Sequence, residues 1–460
     1  MTYIFYDTET TGKVPAFDQI LQFAAIKTDA ELNVLDTFNI RCRLLPYIVP
    51  SPGALLVTGT TIAAITTCPL SHFEMMRQIH AKMHRWSEGG AVFVGWNSMK
   101  FDETFLRQAY YKTLLPIYQT NTNGNGRADM MRMAQIVATC APNVLAVPLT
   151  SEGKRAFKLG LMAAANDVAL ENAHDALADT TATLGIARLI KQRSPALWDA
   201  LMANARKSAP LRLLQSEPFM LLSEYYGSPF NCIVAPIAAN SGNAAEWALF
   251  DLQFDPALYL NASDADLREA IDGTTKVIRR VSINAQPGLL PVDYAPDDVR
   301  GGRQSLETYQ ARAQAIRGNV EFRRRIPRLL AARYEDQVEP VHVEQRIYGG
   351  FPSNADQARM RSFHAQTWED RIGTIQEIED ERYRQIGQRL IAAERPDLLT
   401  EGQRRRWEAW RQERFLTTEK VPWMTVASAL EELAKLSEDA TPTQQAQLVD
   451  IQHFLNGMGR

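Results

Sequence analysis

Two acids, Asp7 and Glu9, stand two residues apart in Asp7-Thr8-Glu9-Thr10-Thr11-Gly12, directly after an apolar run at residues 3–6. If that run is a strand, its two-residue period puts both carboxylates on one face. Like charges beside a core repel each other and lose hydration, and a cation between them would offset both costs. Oxygen ligands of this kind suit Mg²⁺ or Mn²⁺. A strand end facing water would carry the same two acids without metal. A third acid, Asp102, follows Gly95-Trp96-Asn97 and sits where a strand hands over to a helix, a place where Asp also serves as a plain N-cap. The run His174-Asp175-Ala176-Leu177-Ala178-Asp179 opens a further helix. There Asp175 is the expected cap, His174 precedes the first turn and Asp179 projects from the second, so the pair can converge. Asp7, Glu9, Asp102 and Asp179 together make a negative cage of the kind that holds two cations about 4 Å apart for phosphodiester hydrolysis. His174, with an ordinary pKa near neutrality, is the natural base for the attacking water.

The elements that must position these groups follow from the apolar pattern. Runs at 3–6, 20–26, 38–45 and 91–95 read as strands between helix-like stretches. Short connections make the first three an antiparallel meander, and the fourth, followed by a helix from Asp102, suits a parallel addition. The fold class is α/β: a mixed sheet flanked by helices over residues 1–192. After Ser194-Pro195, short β-like segments at 232–237, 247–252 and 276–283 among Gly, Asn and Pro predict a small barrel-like domain over 195–341. Residues 342–460 are dense in Glu, Arg, Gln, Leu and Ala, with Pro396, Pro422 and Pro442 at helix borders, which predicts a helical third domain. Three units match the length of 460 residues.

The motifs DTETTG, NSMKFDE and HDALAD resemble the three exonuclease motifs of the DEDDh superfamily. The likeness is closer to the bacterial exonuclease I family, whose stretches resemble Gln22-Phe23-Ala24-Ala25-Ile26, Thr58-Gly59-Thr60, Asn172-Ala173-His174-Asp175-Ala176 and Tyr348-Gly349-Gly350-Phe351 in the same order. This resemblance covers nearly the whole chain. It implies an RNase H-like exonuclease domain with a five-stranded mixed sheet, an SH3-like barrel and a helical C-terminal domain. It also implies 3′→5′ hydrolysis of single-stranded DNA to 5′-mononucleotides in repair and recombination. The implied cofactor is two Mg²⁺ ions, replaceable by Mn²⁺, on Asp7, Glu9 and Asp179. Substrate contacts are implied at Glu9, Arg107, Tyr118 and Lys158, the last where the family tends to have arginine. Two departures stand out: Thr8 and Thr11 replace aromatic residues frequent in the family, and residues 121–126 replace a stretch that carries aromatics near the nucleic acid.

Charge and cysteine usage bound the remaining readings. The net formal charge is −3, so no whole-molecule basic field exists. Residues 300–333 nevertheless hold nine arginines against Glu307 and Glu321, a local +7. In the resembling family this region takes the acidic C-terminal tail of the single-strand-binding protein, and Arg323 resembles the key arginine. Cys42, Cys68, Cys140 and Cys232 are too few and too scattered for a disulfide framework or zinc site, which fits a reducing cytoplasm. No run of 18 apolar residues occurs, so no membrane partner is expected. A monomer is expected. His80 and His84 lack a third ligand and read as a solvated helix face, and Trp407 and Trp410 as helical core. The alternatives are a DEDDh exoribonuclease that trims RNA 3′ ends, since the acids do not see the 2′-hydroxyl, and a strand-binding adaptor without catalysis. The presence of all four acids and His174 speaks against the adaptor.

Overall fold

A computed structural model describes residues 1–170, 174–333 and 339–458; Asn172 and Ala173 lie outside the described residues. Strand β1 (Thr2–Thr10) opens with Thr, Tyr, Ile, Phe and Tyr, β-branched and aromatic side chains that fit a pleated surface. It pairs antiparallel with β2 (Ile20–Thr28), which pairs antiparallel with β3 (Val34–Arg41). On its other side β1 pairs parallel with β4 (Ala91–Gly95), and β4 with β5 (Gly126–Asp129). The sheet order is β3-β2-β1-β4-β5, the mixed five-stranded arrangement expected.

Two details differ from expectation. The third strand begins at Val34 instead of 38, because its edge position leaves alternate residues exposed and weakens the apolar signal. Strand β5, Gly-Arg-Ala-Asp, carries no β-branched residue and is a strand because β4 offers it a parallel ladder.

The period of β1 assigns each helix to a face. Tyr3 and Phe5 enter one core with Leu184, Ile186, Ala187 and Ile190 of the helix Ala176–Arg193. Ile4 and Tyr6 enter the opposite core with Phe105, Leu106, Ala109 and Tyr110 of the helix Asp102–Lys112. The helix that carries Asp179 and the helix that starts at Asp102 thus cover opposite faces of one strand. On the second face Glu103 is buried and accepts from Arg107 Nε (2.7 Å), Thr120 Oγ1 (2.7 Å), Arg127 Nη1 (3.0 Å) and Tyr6 Oη (3.3 Å). This knot joins β1, β5 and the helix between them.

A second sheet follows, but residues after 194 are first helical, over Pro195–Ala203 and Ser208–Ser216, where β-like texture was expected. The helix Pro195–Ala203 buries Leu197, Trp198, Leu201 and Met202 against the first core, and this packing decides its conformation. Strands β6 (Met220–Tyr225), β7 (Pro229–Ala239), β8 (Glu246–Asp251), β9 (Ile278–Ser282) and β10 (Leu289–Leu290) form an antiparallel sheet of order β10-β6-β7-β8-β9. Its outer strands β9 and β10 do not pair among the described residues, so the sheet is open where a barrel was expected. The arginine-rich stretch forms the helices Leu306–Gly318 and Val320–Ala332, whose Tyr309, Ile316, Phe322 and Ile326 complete the core under β7 and β8.

The C-terminal residues are helical as expected, from Asn354–Ala365 to Pro442–Met458. They dock on the first sheet's layer through two clusters, one around Phe73, Tyr111 and Phe363 and one around Leu55, Phe415 and Ile451. Trp407 and Trp410 stack on each other at 5.1 Å and pack against Tyr47. Among the described residues no helix is long and apolar enough to cross a membrane.

The Glu103 knot yields a stability prediction. Glu103→Ala leaves two guanidinium groups buried without their carboxylate and should cost about 3–5 kcal/mol in urea unfolding. An unchanged unfolding midpoint would remove the knot from the fold's support.

Candidate active site

Residues 7 and 9 continue the odd-numbered face of β1, so Asp7 and Glu9 face the helix Ala176–Arg193. Asp179 lies in that helix's first turn, and one carboxylate oxygen each from Asp7, Glu9 and Asp179 lie within 4.8 Å of one another. Residue 8 faces the other way. Thr8 donates its N–H (3.0 Å) and its hydroxyl (2.6 Å) to Asp102 Oδ1, so Asp102 grips the strand between the two acids. Asp102 does not cap its helix: Phe101 is the capping residue and makes no side-chain cap bond.

The third motif folds as its residue types suggest. Asp175 caps the helix, its Oδ1 accepting from the N–H groups of Leu177 (3.0 Å) and Ala178 (3.3 Å). His174 is exposed and holds a left-handed φ of +68°, uncommon for a residue with a Cβ. Its N–H donates to Asp179 Oδ1 at 3.3 Å, which brings the histidine to the carboxylate cluster.

The electrostatics match a cage without its cation. Burial raises Asp7 well above the usual carboxylate range, and the charges of Asp102, Glu9 and Asp179 add to it. Burial also pushes Glu9 up to about 8, with Asp179, Asp102 and Asp175 contributing and Arg41 opposing. Asp102 rises to about 7 through burial, against the pull of the Thr8 hydroxyl. Asp179 is raised by burial, and the His174 N–H opposes this. A divalent cation at Asp7, Glu9 and Asp179 would find three oxygen donors and relieve this repulsion, so these residues fit a hard metal ion.

The remaining expected residues lie in other surroundings. Arg107 is tied to Glu103 and to Asn121 Oδ1 (3.3 Å), and its guanidinium lies 5.0 Å from the Tyr118 ring centroid. The Tyr118 ring also meets exposed Phe351 at 5.7 Å, so an aromatic and cationic group gathers beside the knot. Lys158 is exposed at the start of the helix Leu159–Ala165. Arg323 is exposed on the helix Val320–Ala332 and donates from Nε to Ile237 O at 3.1 Å. His80 and His84 stack in parallel at 6.5 Å and belong to no metal-ligating cluster among the described residues.

Sequence reasoning missed four supports. Asp129, at the end of β5, accepts from the N–H groups of Asn97 (3.0 Å) and Met99 (3.3 Å) and shapes the turn before Asp102. Thr8 was noted only as a departure from the family. Gln22 and Arg41 reach Asp175 from β2 and β3. Thr8 carries a signal as a hydroxyl placed between two acids, and Gln22 as part of a stretch that resembles the family.

The Exonuclease family model matches residues 4–187, the span that holds the first sheet and the three converging acids. The Exonuclease I C-terminal domain matches residues 341–458. The chain is 28% identical to exodeoxyribonuclease I of Escherichia coli (strain K12) over 78% of each protein. Its fold is that of E. coli exonuclease I in complex with a dA16 oligonucleotide, at a TM-score of 0.84, 24% identity and 99% coverage of both chains. A structure of SSB/exonuclease I in complex with the inhibitor CFAM gives 0.83 at 23% identity, with 99% of both chains covered. The chain is thus similar to exodeoxyribonuclease I over most of its length, with the Exonuclease and Exonuclease I C-terminal domain models matching in sequence order.

The raised acids predict a pH dependence. An acid whose folded pKa exceeds its unfolded value stabilises fully below the unfolded value and loses that stabilisation as pH rises through the folded one. The metal-free protein should therefore lose stability between about pH 4, the ordinary carboxylate value, and pH 8, the raised value of Glu9. Calorimetry should show the melting midpoint falling by roughly 5 °C over this window. Added Mn²⁺ should restore more at pH 8 than at pH 6, and Asp7→Asn should flatten the metal-free profile. A midpoint independent of pH in the parent would contradict the arrangement.

Proposed function

We propose that this chain hydrolyses single-stranded DNA from the 3′ end and releases 5′-mononucleotides, using two divalent cations, Mg²⁺ with Mn²⁺ as substitute. The observation that carries this reading is the convergence of Asp7, Glu9 and Asp179 from two elements, with His174 bonded to Asp179 and Asp102 bonded to Thr8 between the two strand acids. Bound cations would lower the pKa of water and neutralise charge on the phosphate. Asp7, Glu9 and Asp179 would hold them. Asp102 keeps Thr8 in place and with it the spacing of Asp7 and Glu9. His174, on the exposed side, takes the proton of the attacking water.

DNA is favoured by the relatives, which are named exodeoxyribonuclease I, and by the E. coli enzyme's complex with a DNA oligonucleotide. Arg107, Tyr118 and exposed Tyr348 and Phe351 offer stacking faces and a cation beside the Glu103 knot, and Lys158 a further phosphate contact. We read the chain as an exonuclease domain over 1–192, an SH3-like domain over 195–341 and a helical domain over 342–460. It acts as a monomer in the cytoplasm, in DNA repair and recombination. The acidic tail of single-strand-binding protein is the proposed ligand of Arg323. Its exposed neighbours Arg324 and Arg328 are part of a local excess of positive charge, and a solved relative pairs exonuclease I with SSB.

The test is nucleotide release from 3′-labelled single-stranded DNA, duplex DNA and RNA in Mg²⁺. Asp7→Asn, Glu9→Gln and Asp179→Asn should each lower the rate by more than 10²-fold, roughly the scale of a lost catalytic group. His174→Ala should lower turnover similarly while strand binding in Ca²⁺ stays unchanged. Losses below about tenfold would refute the two-metal reading, and equal rates on RNA would favour the exoribonuclease. Arg323→Ala should weaken binding of an acidic tail peptide by roughly 1.5–3 kcal/mol in low-salt anisotropy, the range for bonds to a charged group. Naked-strand digestion should be unaffected. Equal peptide affinity would remove this partner site.

A further inference from the structure

Arg41 ends β3 and belongs to none of the motifs that suggested the chemistry. One of its terminal nitrogens donates to Asp175 Oδ2 at 2.7 Å, and Gln22 Nε2 donates to the same oxygen at 3.0 Å. The other oxygen of Asp175 is the helix cap described above. Asp175 thereby uses both oxygens: one fixes the first turn of the helix that carries Asp179, and one fixes that turn to the sheet. Gln22 strengthens the link, because it pairs directly opposite Glu9 and its Oε1 accepts from the Ala176 N–H at 3.4 Å. On the other side of Asp175, His174 keeps its left-handed backbone while its N–H bonds Asp179.

We propose that Arg41 is a positioning residue for the reaction, holding Asp175 so that His174 and Asp179 keep their places beside Asp7 and Glu9. This rests on the metal-dependent hydrolysis proposed above. Two observations separate the role from its alternatives. The Arg41 and Asp175 side chains are 46% and 32% exposed, and ion pairs in such surroundings add little to global stability. A merely structural pair would therefore be nearly silent in every assay. A grip on substrate phosphate would leave metal binding alone, whereas the geometry commits Arg41 to Asp175, four residues before a metal-binding carboxylate. Arg41 also supplies the positive charge that opposes the acids around Glu9.

The experiment compares the parent with Arg41→Met and Arg41→Lys. Mn²⁺ binding is read by electron paramagnetic resonance, strand affinity in Ca²⁺, and nucleotide release in a single turnover. A reacting group displaced on the order of 1 Å loses rate on the order of 10²-fold. Arg41→Met should therefore slow the single turnover by about tenfold or more and weaken Mn²⁺ binding by about fivefold. Strand affinity should stay within about twofold and the melting midpoint within about 2 °C, as for an exposed pair. Arg41→Lys, which keeps a donor and the charge, should recover most of both losses. Unchanged rate and Mn²⁺ affinity in Arg41→Met would overturn the proposal. Weaker strand binding with a normal rate at saturating strand would also overturn it and make Arg41 a phosphate contact. If the parent itself released no nucleotide in metal, the hydrolysis reading would fail, and the Mn²⁺ comparison alone would judge Arg41.

Discussion

Asp7, Glu9 and Asp179 repel one another in a site that also withholds water from them, and the fold must hold them together against that repulsion. The tertiary structure does this with rigid elements. Asp7 and Glu9 belong to the central strand β1, where they pair with Ala24 and Gln22 of β2, so neither acid can retreat without breaking that ladder. Asp179 sits in the first turn of a helix whose apolar face is buried against the same strand. The energy released by burying Leu184, Ala187 and Ile190 is what presses a third negative charge toward the first two. A cation would convert this opposition into a favourable site, so metal affinity and apo instability would be two consequences of one geometry.

Neutral and cationic partners reach the two acids that lie outside the three-oxygen cluster. Asp102 is satisfied by Thr8, and Asp175 by Gln22, Arg41 and two helix N–H groups. Burial raises Asp175, but these donors outweigh it and the group ends below the usual value, opposite to its neighbours. Carboxylates of one chemical type are thereby divided into those left short of partners and those supplied with them. The first set is available to a metal, and the second builds the frame.

The helical C-terminal residues reach this frame from behind. Glu344 is buried between Arg389 (2.7 Å) and Arg414 (3.3 Å), and Gln108 of the helix Asp102–Lys112 bonds its backbone oxygen. Arg414 lies over the rings of Phe17 (5.4 Å) and Trp423 (4.6 Å), so the loop after Glu9 is packed by residues four hundred positions later. Lys112, whose ammonium burial pulls down to about 7, donates to Pro15 O (3.1 Å) and Asp18 O (2.7 Å) of the same loop. The strand that carries Asp7 and Glu9 is therefore braced at its exit by the chain's last third.

The identity of the chemistry was legible in the sequence, because it depends on residue type and on short-range period. Alternation placed Asp7 and Glu9 on one face, the Ser/Asp/Thr preference for caps placed Asp175, and the helical period placed Asp179 one turn further. Fold class followed from the same local rules, with the errors at β3, β5 and residues 195–216, where edge exposure or packing overrode propensity. What tertiary structure alone decided were contacts with no fixed spacing: Thr8 with Asp102, Asp129 with the turn at Asn97, Arg41 and Gln22 with Asp175, and the openness of the second sheet. A motif is set by neighbours along the chain, whose geometry the backbone fixes. The groups that hold the motif in place come from strands and helices brought together only by burial, and burial constrains which faces meet without prescribing which side chains on those faces touch.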